Sequence, residues 1–140
     1  MTLIDTGPLV ALHDARDSFY SACVGLVPQF ALQRFVTSWA CFAEAMYLLG
    51  NSGGFQLQAS LWKMWRDGYL ELASLSNDET ELAATMMDKY QDHPMDLADA
   101  TLVAVADFRG WRKVFTLDSH FFAYRLRDGS ALDVILPTKA

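Results

Sequence analysis

The chain has 140 residues, 52% hydrophobic and 20% charged, which suits one domain with its own core and excludes a disordered chain. Its 11 basic and 17 acidic side chains leave a net charge of −6, which argues against a broad electrostatic grip on nucleic acid. Cys23 and Cys41 cannot form a disulfide framework, no signal-like leader opens the chain, and no apolar run reaches the ~18 residues of a membrane span, so a cytoplasmic protein with no membrane attachment is expected.

Taken in order, Thr2-Leu3-Ile4 reads as a buried strand ending at Asp5. Gly7-Pro8 opens a helix, and a second helix is predicted from about Asp17 to before Pro28. Arg34 to Thr37 predicts a strand, and Ser38 caps a helix through about Leu49 that Gly50 closes. Leu57, Leu61, Met64 and Trp65 share a helical face, with Gly68 as the stop. On that helix, Trp62, Met64 and Trp65 read as core before they read as a partner surface. Tyr69 to Leu75 predicts a strand, and Ser76 with Glu79 a capping box for the helix carrying Leu82, Met86 and Tyr90. A helix over about Leu97 to Phe108 and strands at Lys113 to Leu117 and Leu132 to Leu136 complete an α/β sandwich with a mostly parallel sheet.

Most acids need no special account. Asp78, Glu79, Glu81 and Asp88 read as a solvated helix face, and Asp14, Asp17, Asp92 and Asp128 as caps and loops. Four differ. Glu44 is the single charge between Trp39 and Leu49, in a helix apolar enough to be buried on most sides. Asp99 sits in the apolar run Leu97 to Ala106, while Asp5 and Asp118 end apolar strands. A buried, unpaired carboxylate costs several kcal/mol, roughly, unless it meets a cation. Each also has an ordinary reading: Asp5 as a cap, Asp99 as a first-turn acid, Asp118 in a turn, Glu44 against a distant arginine. One explanation covers all four, an all-oxygen site for Mg²⁺ or Mn²⁺. His13, His93 and His120 lack zinc-ligand spacing and read as surface or turn residues. Asp5-Thr6-Gly7 also matches the aspartic-protease tripeptide, but the helical patterns disfavour that β-rich class. Receiver-like domains are disfavoured because Thr6-Gly7, not an acidic pair, follows the first strand.

Leu3-Ile4-Asp5-Thr6-Gly7-Pro8-Leu9, Thr37-Ser38 leading to Ala43-Glu44-Ala45, Met95-Asp96-Leu97-Ala98-Asp99-Ala100 and Phe115-Thr116-Leu117-Asp118-Ser119-His120-Phe121, in this order and spacing, resemble the PIN-domain ribonucleases, especially VapC-like toxins of toxin–antitoxin pairs. The resemblance spans the chain. It implies one PIN-like nuclease domain over residues 1–140, a three-layer α/β/α sandwich, and Mg²⁺- or Mn²⁺-dependent hydrolysis of single-stranded RNA by in-line attack of water. It implies that Asp5, Glu44, Asp99 and Asp118 form the catalytic, metal-binding quartet, with Glu44 holding or activating water and Asp118 acting partly through water. Thr6 and Thr116 match flanking hydroxyl positions; Asp96 either joins the cluster or caps the helix. A small antitoxin partner and a homodimer or hetero-oligomer are further implications. The rival reading is a PIN-fold RNA- or protein-binding module with little catalysis.

Without those four acids the charge balance is −2, and the stretch from Arg109 to Arg127 holds Arg109, Arg112, Lys113, Arg125 and Arg127 against Asp118 alone. That run reads either as a solvated edge or as an RNA-contacting rim, with Phe121, Phe122 and Tyr124 offering stacking surfaces.

Overall fold

A computed structural model describes residues 1–30 and 34–139. Five strands, β1 (Thr2–Ile4), β2 (Phe35–Ser38), β3 (Leu70–Ala73), β4 (Lys113–Phe115) and β5 (Asp133–Ile135), form one sheet in the order β3-β2-β1-β4-β5. Every strand pairing in it is parallel. Among the described residues six α-helices connect them: α1 (Thr6–His13), α2 (Tyr20–Leu26), α3 (Trp39–Gly53), α4 (Phe55–Arg66), α5 (Asn77–Lys89) and α6 (Leu97–Arg109).

The period-2 alternation of strand side chains divides the interior in two. Leu3, Val36 and Val114 face one buried cluster with Leu82 and Met86 of α5 and the apolar run of α6. Their neighbours Ile4, Phe35 and Phe115 face the other, with Leu9 of α1, Phe42 and Leu49 of α3 and Leu61 of α4. Helices on both faces of a parallel sheet make the three-layer sandwich expected. Because β2 lies on one side of β1 and β4 on the other, the chain direction across the sheet reverses at β1. In open parallel sheets such a switch point, beyond the carboxyl ends of the strands, is where ligands bind.

Several boundaries moved for identifiable reasons. The Asp17 carboxylate accepts from Phe19 N, making a turn, so α2 begins at Tyr20. The third helix passes Gly50 and ends at Gly54, whose φ of 75° no side-chain-bearing residue adopts easily. A Cβ at Gly50 would press on the end of the Gln58 side chain of α4, whose Nε2 donates to Met46 O. Beyond Phe115, the Thr116 hydroxyl accepts from Asp118 N and bends the chain off the sheet, shortening β4. The capping box forms as predicted, with Ser76 N donating to Glu79 Oε1 and Glu79 N to Ser76 Oγ. Yet Glu79 is not solvated: it is buried, and Arg109 donates to both its oxygens. Asp14 is likewise buried, tying α1 to α3 through Ser52 Oγ. Among the described residues no helix is long and apolar enough to cross a membrane.

Candidate active site

The ends of β1 and β4 are adjacent, with Ile4 opposite Phe115 and Asp5 N donating to Phe115 O. Asp5 follows β1 directly and caps α1, its Oδ1 accepting from Thr6 N at 2.8 Å. Its Oδ2 accepts from the Thr116 hydroxyl at 2.7 Å. Asp118 lies three residues beyond β4 and caps the short turn Ser119–Phe122. Across the cleft, Asp96 caps α6 by accepting from Asp99 N, which places Asp99 in the first turn facing β1 and β4. Glu44 comes from α3, which Ser38 caps at the end of β2. Asp5, Glu44, Asp96, Asp99 and Asp118 thus line one cleft of about 210 Å³, with Thr6, Gly7, Leu48, Ala98 and Leu117. Gly7 keeps Leu117 close: a Cβ there would meet the Leu117 side chain at 3.0 Å, so that side chain would have to give by a few tenths of an ångström.

Asp96 therefore has both of its alternative roles, as cap and as cleft residue. Glu44 is a correction: it is exposed, not buried. The helix buries one face, through Cys41, Phe42, Ala45 and Leu49, while Trp39, Glu44, Tyr47 and Leu48 face outward. An apolar composition marked that helix as enclosed, but Trp39, Tyr47 and Leu48 belong to an open face.

The carboxylates raise one another's proton affinity. Burial lifts the Asp5 carboxyl above its ordinary value, against the bonds from Thr116 and Thr6, and the charges of Asp118 and Asp96 add to the rise. Burial and then the charges of Asp96, Asp5 and Asp118 push Asp99 up to about 8. Glu44 is raised by partial burial in the cleft and by Asp96 and Asp5. Among the described residues no ion pair includes Asp5, Glu44 or Asp99. The cluster is an uncompensated pocket of negative charge, and oxygen donors of this kind suit Mg²⁺ or Mn²⁺. As the side chains are oriented, no three of the described His, Cys, Asp or Glu groups converge on one ion. Asp5 and Asp99 are each engaged by protein donors, and each carboxylate keeps further lone pairs for an ion.

The surrounding residues differ from the expected rim. Arg109, Arg112 and Lys113 lie at the far end of the sheet: Lys113 begins β4, and Arg109 ends α6, roughly 15 Å along the helix from Asp99. Arg109 is held by Glu79 and Ser74 O, and Arg112 by Ala131 O. Arg127 pairs with Asp107 and lies 4.0 Å over the Phe108 ring. Arg125 bridges to Ala131 just past the turn that Asp118 caps, its guanidinium donating to Phe122 O and Tyr124 O. Of the aromatic trio, Phe121 and Tyr124 are buried and offer no stacking face, leaving Phe122 exposed. Trp62 and Met64 pack against the core, whereas Trp65 is 43% exposed.

Sequence reasoning named three further residues but missed their contacts with the acids. The Tyr124 hydroxyl donates to Asp99 Oδ2 at 3.1 Å. The Cys41 thiol, pushed up to about 12 by burial and by the Asp5 charge, has Asp5 Oδ1 and Ala98 O as alternative acceptors for its one proton, each at 3.7 Å. His120 Nδ1 lies 2.6 Å from Asp118 Oδ1, its proximity in sequence being the signal available. His13 is no surface residue: it is half-buried, with Nδ1 2.7 Å from Ser60 Oγ.

Acids gathered from separate elements at the switch point of a parallel sheet define a class. Residues 2–126 match the PIN domain family, and the chain belongs to it. It is 34% identical over 134 residues to Ribonuclease VapC26 of Mycobacterium tuberculosis (strain ATCC 25618 / H37Rv), covering 95% of this chain and 98% of that relative. Among solved structures, Mycobacterium tuberculosis VapC20, described as a sarcin-ricin loop cleaving toxin, superposes with a TM-score of 0.79 at 19% identity, over 96% of this chain and 98% of that one. A toxin–antitoxin complex from Klebsiella pneumoniae matches with a TM-score of 0.65 at 16% identity over 100% of both chains. At those identities the structural likeness is one of fold.

Proposed function

We propose that this chain is a divalent-metal-dependent endoribonuclease that hydrolyses single-stranded RNA, acting in the cytoplasm as the toxin of a toxin–antitoxin pair. The observation that carries the reading is the cleft in which Asp5, Glu44, Asp99 and Asp118 meet with no basic partner for three of them. Asp5, Asp99 and Asp118 would hold Mg²⁺ or Mn²⁺, with Glu44 completing the set. When bound, the ion offsets the acids' charge, polarises the phosphodiester and lowers the pKa of water. Glu44, on the open side, would hold or activate the water that attacks in line. Thr116 and Thr6 N fix the Asp5 carboxylate, and Asp96 sets the first turn that presents Asp99. RNA contacts belong to Arg125 and the exposed Phe122 ring on the turn after Asp118.

The relatives named as a ribonuclease, a cleaving toxin and a toxin–antitoxin complex support this reading. A small antitoxin and a second copy of the chain are the proposed partners, and residues 1–140 the single nuclease domain. The exposed face of α3 bearing Trp39 and Tyr47 favours a second reading, a PIN-fold binding module with little catalysis. Incubation of defined single-stranded RNAs with Mg²⁺, Mn²⁺ or chelator separates the two. Cleavage with either metal and none in chelator supports the nuclease. Binding without cleavage under all three conditions supports the module.

A further inference from the structure

We infer that Tyr124 is a positioning residue for Asp99: its hydroxyl holds Oδ2 and so fixes which carboxylate oxygen remains for a metal ion. The inference rests on the reading of Asp99 as a metal ligand.

A buried phenol needs a hydrogen-bond partner, and Tyr124 is 0% exposed. Its partner is a functional carboxylate, reached across 25 positions of chain. The ring has little freedom to swing away. It sits edge-on to Tyr90 with centroids 5.1 Å apart and edge-on to Phe121 at 5.2 Å. Its backbone is pinned as well: Arg125 N donates to the Tyr90 hydroxyl at 2.9 Å, and the Arg125 guanidinium donates to Phe122 O and Tyr124 O. This braced turn begins at Asp118, which caps Ser119–Phe122. One short segment therefore carries a cleft acid at its start and the hydroxyl that orients another acid at its end. Among the described hydrogen bonds, Asp99 Oδ1 receives none, so Oδ1 is the oxygen the tyrosine leaves available. Groups that orient metal ligands are typically worth about 10–100-fold in metal affinity or activity.

The test is Tyr124→Phe, which removes one oxygen and keeps the packed ring. Mn²⁺ affinity of the folded, metal-free protein is measured by titration calorimetry, alongside kcat and KM on a single-stranded RNA. The expected result is Mn²⁺ binding weakened about 10-fold or more, with lower kcat and unchanged KM. Affinity equal to or tighter than the parent's overturns the inference. Asp99→Asn, whose Mn²⁺-induced shift in Tm should be lost, gives the floor for the site; Tyr124→Phe should show a shift between that floor and the parent's, and a shift equal to the parent's overturns the inference. A parent that binds no Mn²⁺ overturns the metal-centre reading together with this one, whereas a binding parent and an unaffected variant overturn this one alone.

Discussion

The Thr116 hydroxyl donates to Asp5 Oδ2 at 2.7 Å and accepts from Asp118 N at 2.9 Å. One fully buried oxygen thus sets the geometry of two cleft acids at the adjoining ends of β1 and β4. Thr116→Val keeps the shape and strips both bonds, leaving a buried carboxylate oxygen and a backbone N–H unsatisfied. Stability should fall by about 1–3 kcal/mol in urea unfolding, and RNA cleavage should fall with it. Thr116→Ser should restore both; a valine variant as active and stable as the parent contradicts the role.

Asp99→Asn should stabilise the metal-free protein while abolishing its response to metal. A carboxyl whose pKa rises from 3.8 to about 8 on folding binds its proton more tightly in the folded state. Its contribution therefore grows as pH falls from about 8 toward 4, and above 8 it is purely a penalty. In chelator at pH 8 the asparagine variant should gain on the order of 1–3 kcal/mol. Adding Mn²⁺ should raise the parent's Tm and leave the variant's unchanged. A variant less stable than the parent in chelator contradicts the electrostatic account.

His13 predicts acid sensitivity at the other end of α1. Burial lowers its pKa from 6.5 to about 4, so the unfolded chain takes up a proton in that window while the folded one stays neutral. Stability should fall as pH drops from 6.5 toward 4, by up to about 3 kcal/mol. His13→Asn should flatten this segment of the urea-measured pH profile; an unchanged slope would assign it elsewhere.

Arg109 distinguishes a structural arginine from an RNA-contacting one. Arg109→Ala leaves Glu79, with its side chain 5% exposed, without its counterion. A loss of about 3 kcal/mol is expected, with KM for RNA unchanged. A raised KM at unchanged stability would return Arg109 to the substrate rim.

The sheet, its helices and the cleft acids were legible because each rests on local pattern. Leu3-Ile4 and Val114-Phe115 are short apolar stretches with an acid at most three residues on, and Asp96 with Asp99 has helix-start spacing. What stayed hidden depends on where distant segments meet. The basic run from Arg109 to Arg127 looks continuous in sequence, yet α6, β4 and the following turn send its members to different ends of the molecule. Glu79 shows a capping box in sequence but not the arginine 30 positions away. Glu44 sits in an apolar helix, and composition does not tell which face of a helix is covered. Tyr124 reads as a ring among rings until the turn after Asp118 brings its hydroxyl to Asp99.

The central claim is that the acidic cleft is a metal-dependent RNA-cleaving centre, and Asp5 tests it most directly. Single-turnover cleavage of a single-stranded RNA by the parent and by Asp5→Asn is compared in Mg²⁺ and in Mn²⁺, with circular dichroism establishing that both are folded. Removing a ligand should exceed the ~100-fold upper range for removing a supporting group, so a loss of more than about 100-fold with the fold retained is predicted. Cleavage by Asp5→Asn at the parental rate would contradict the account.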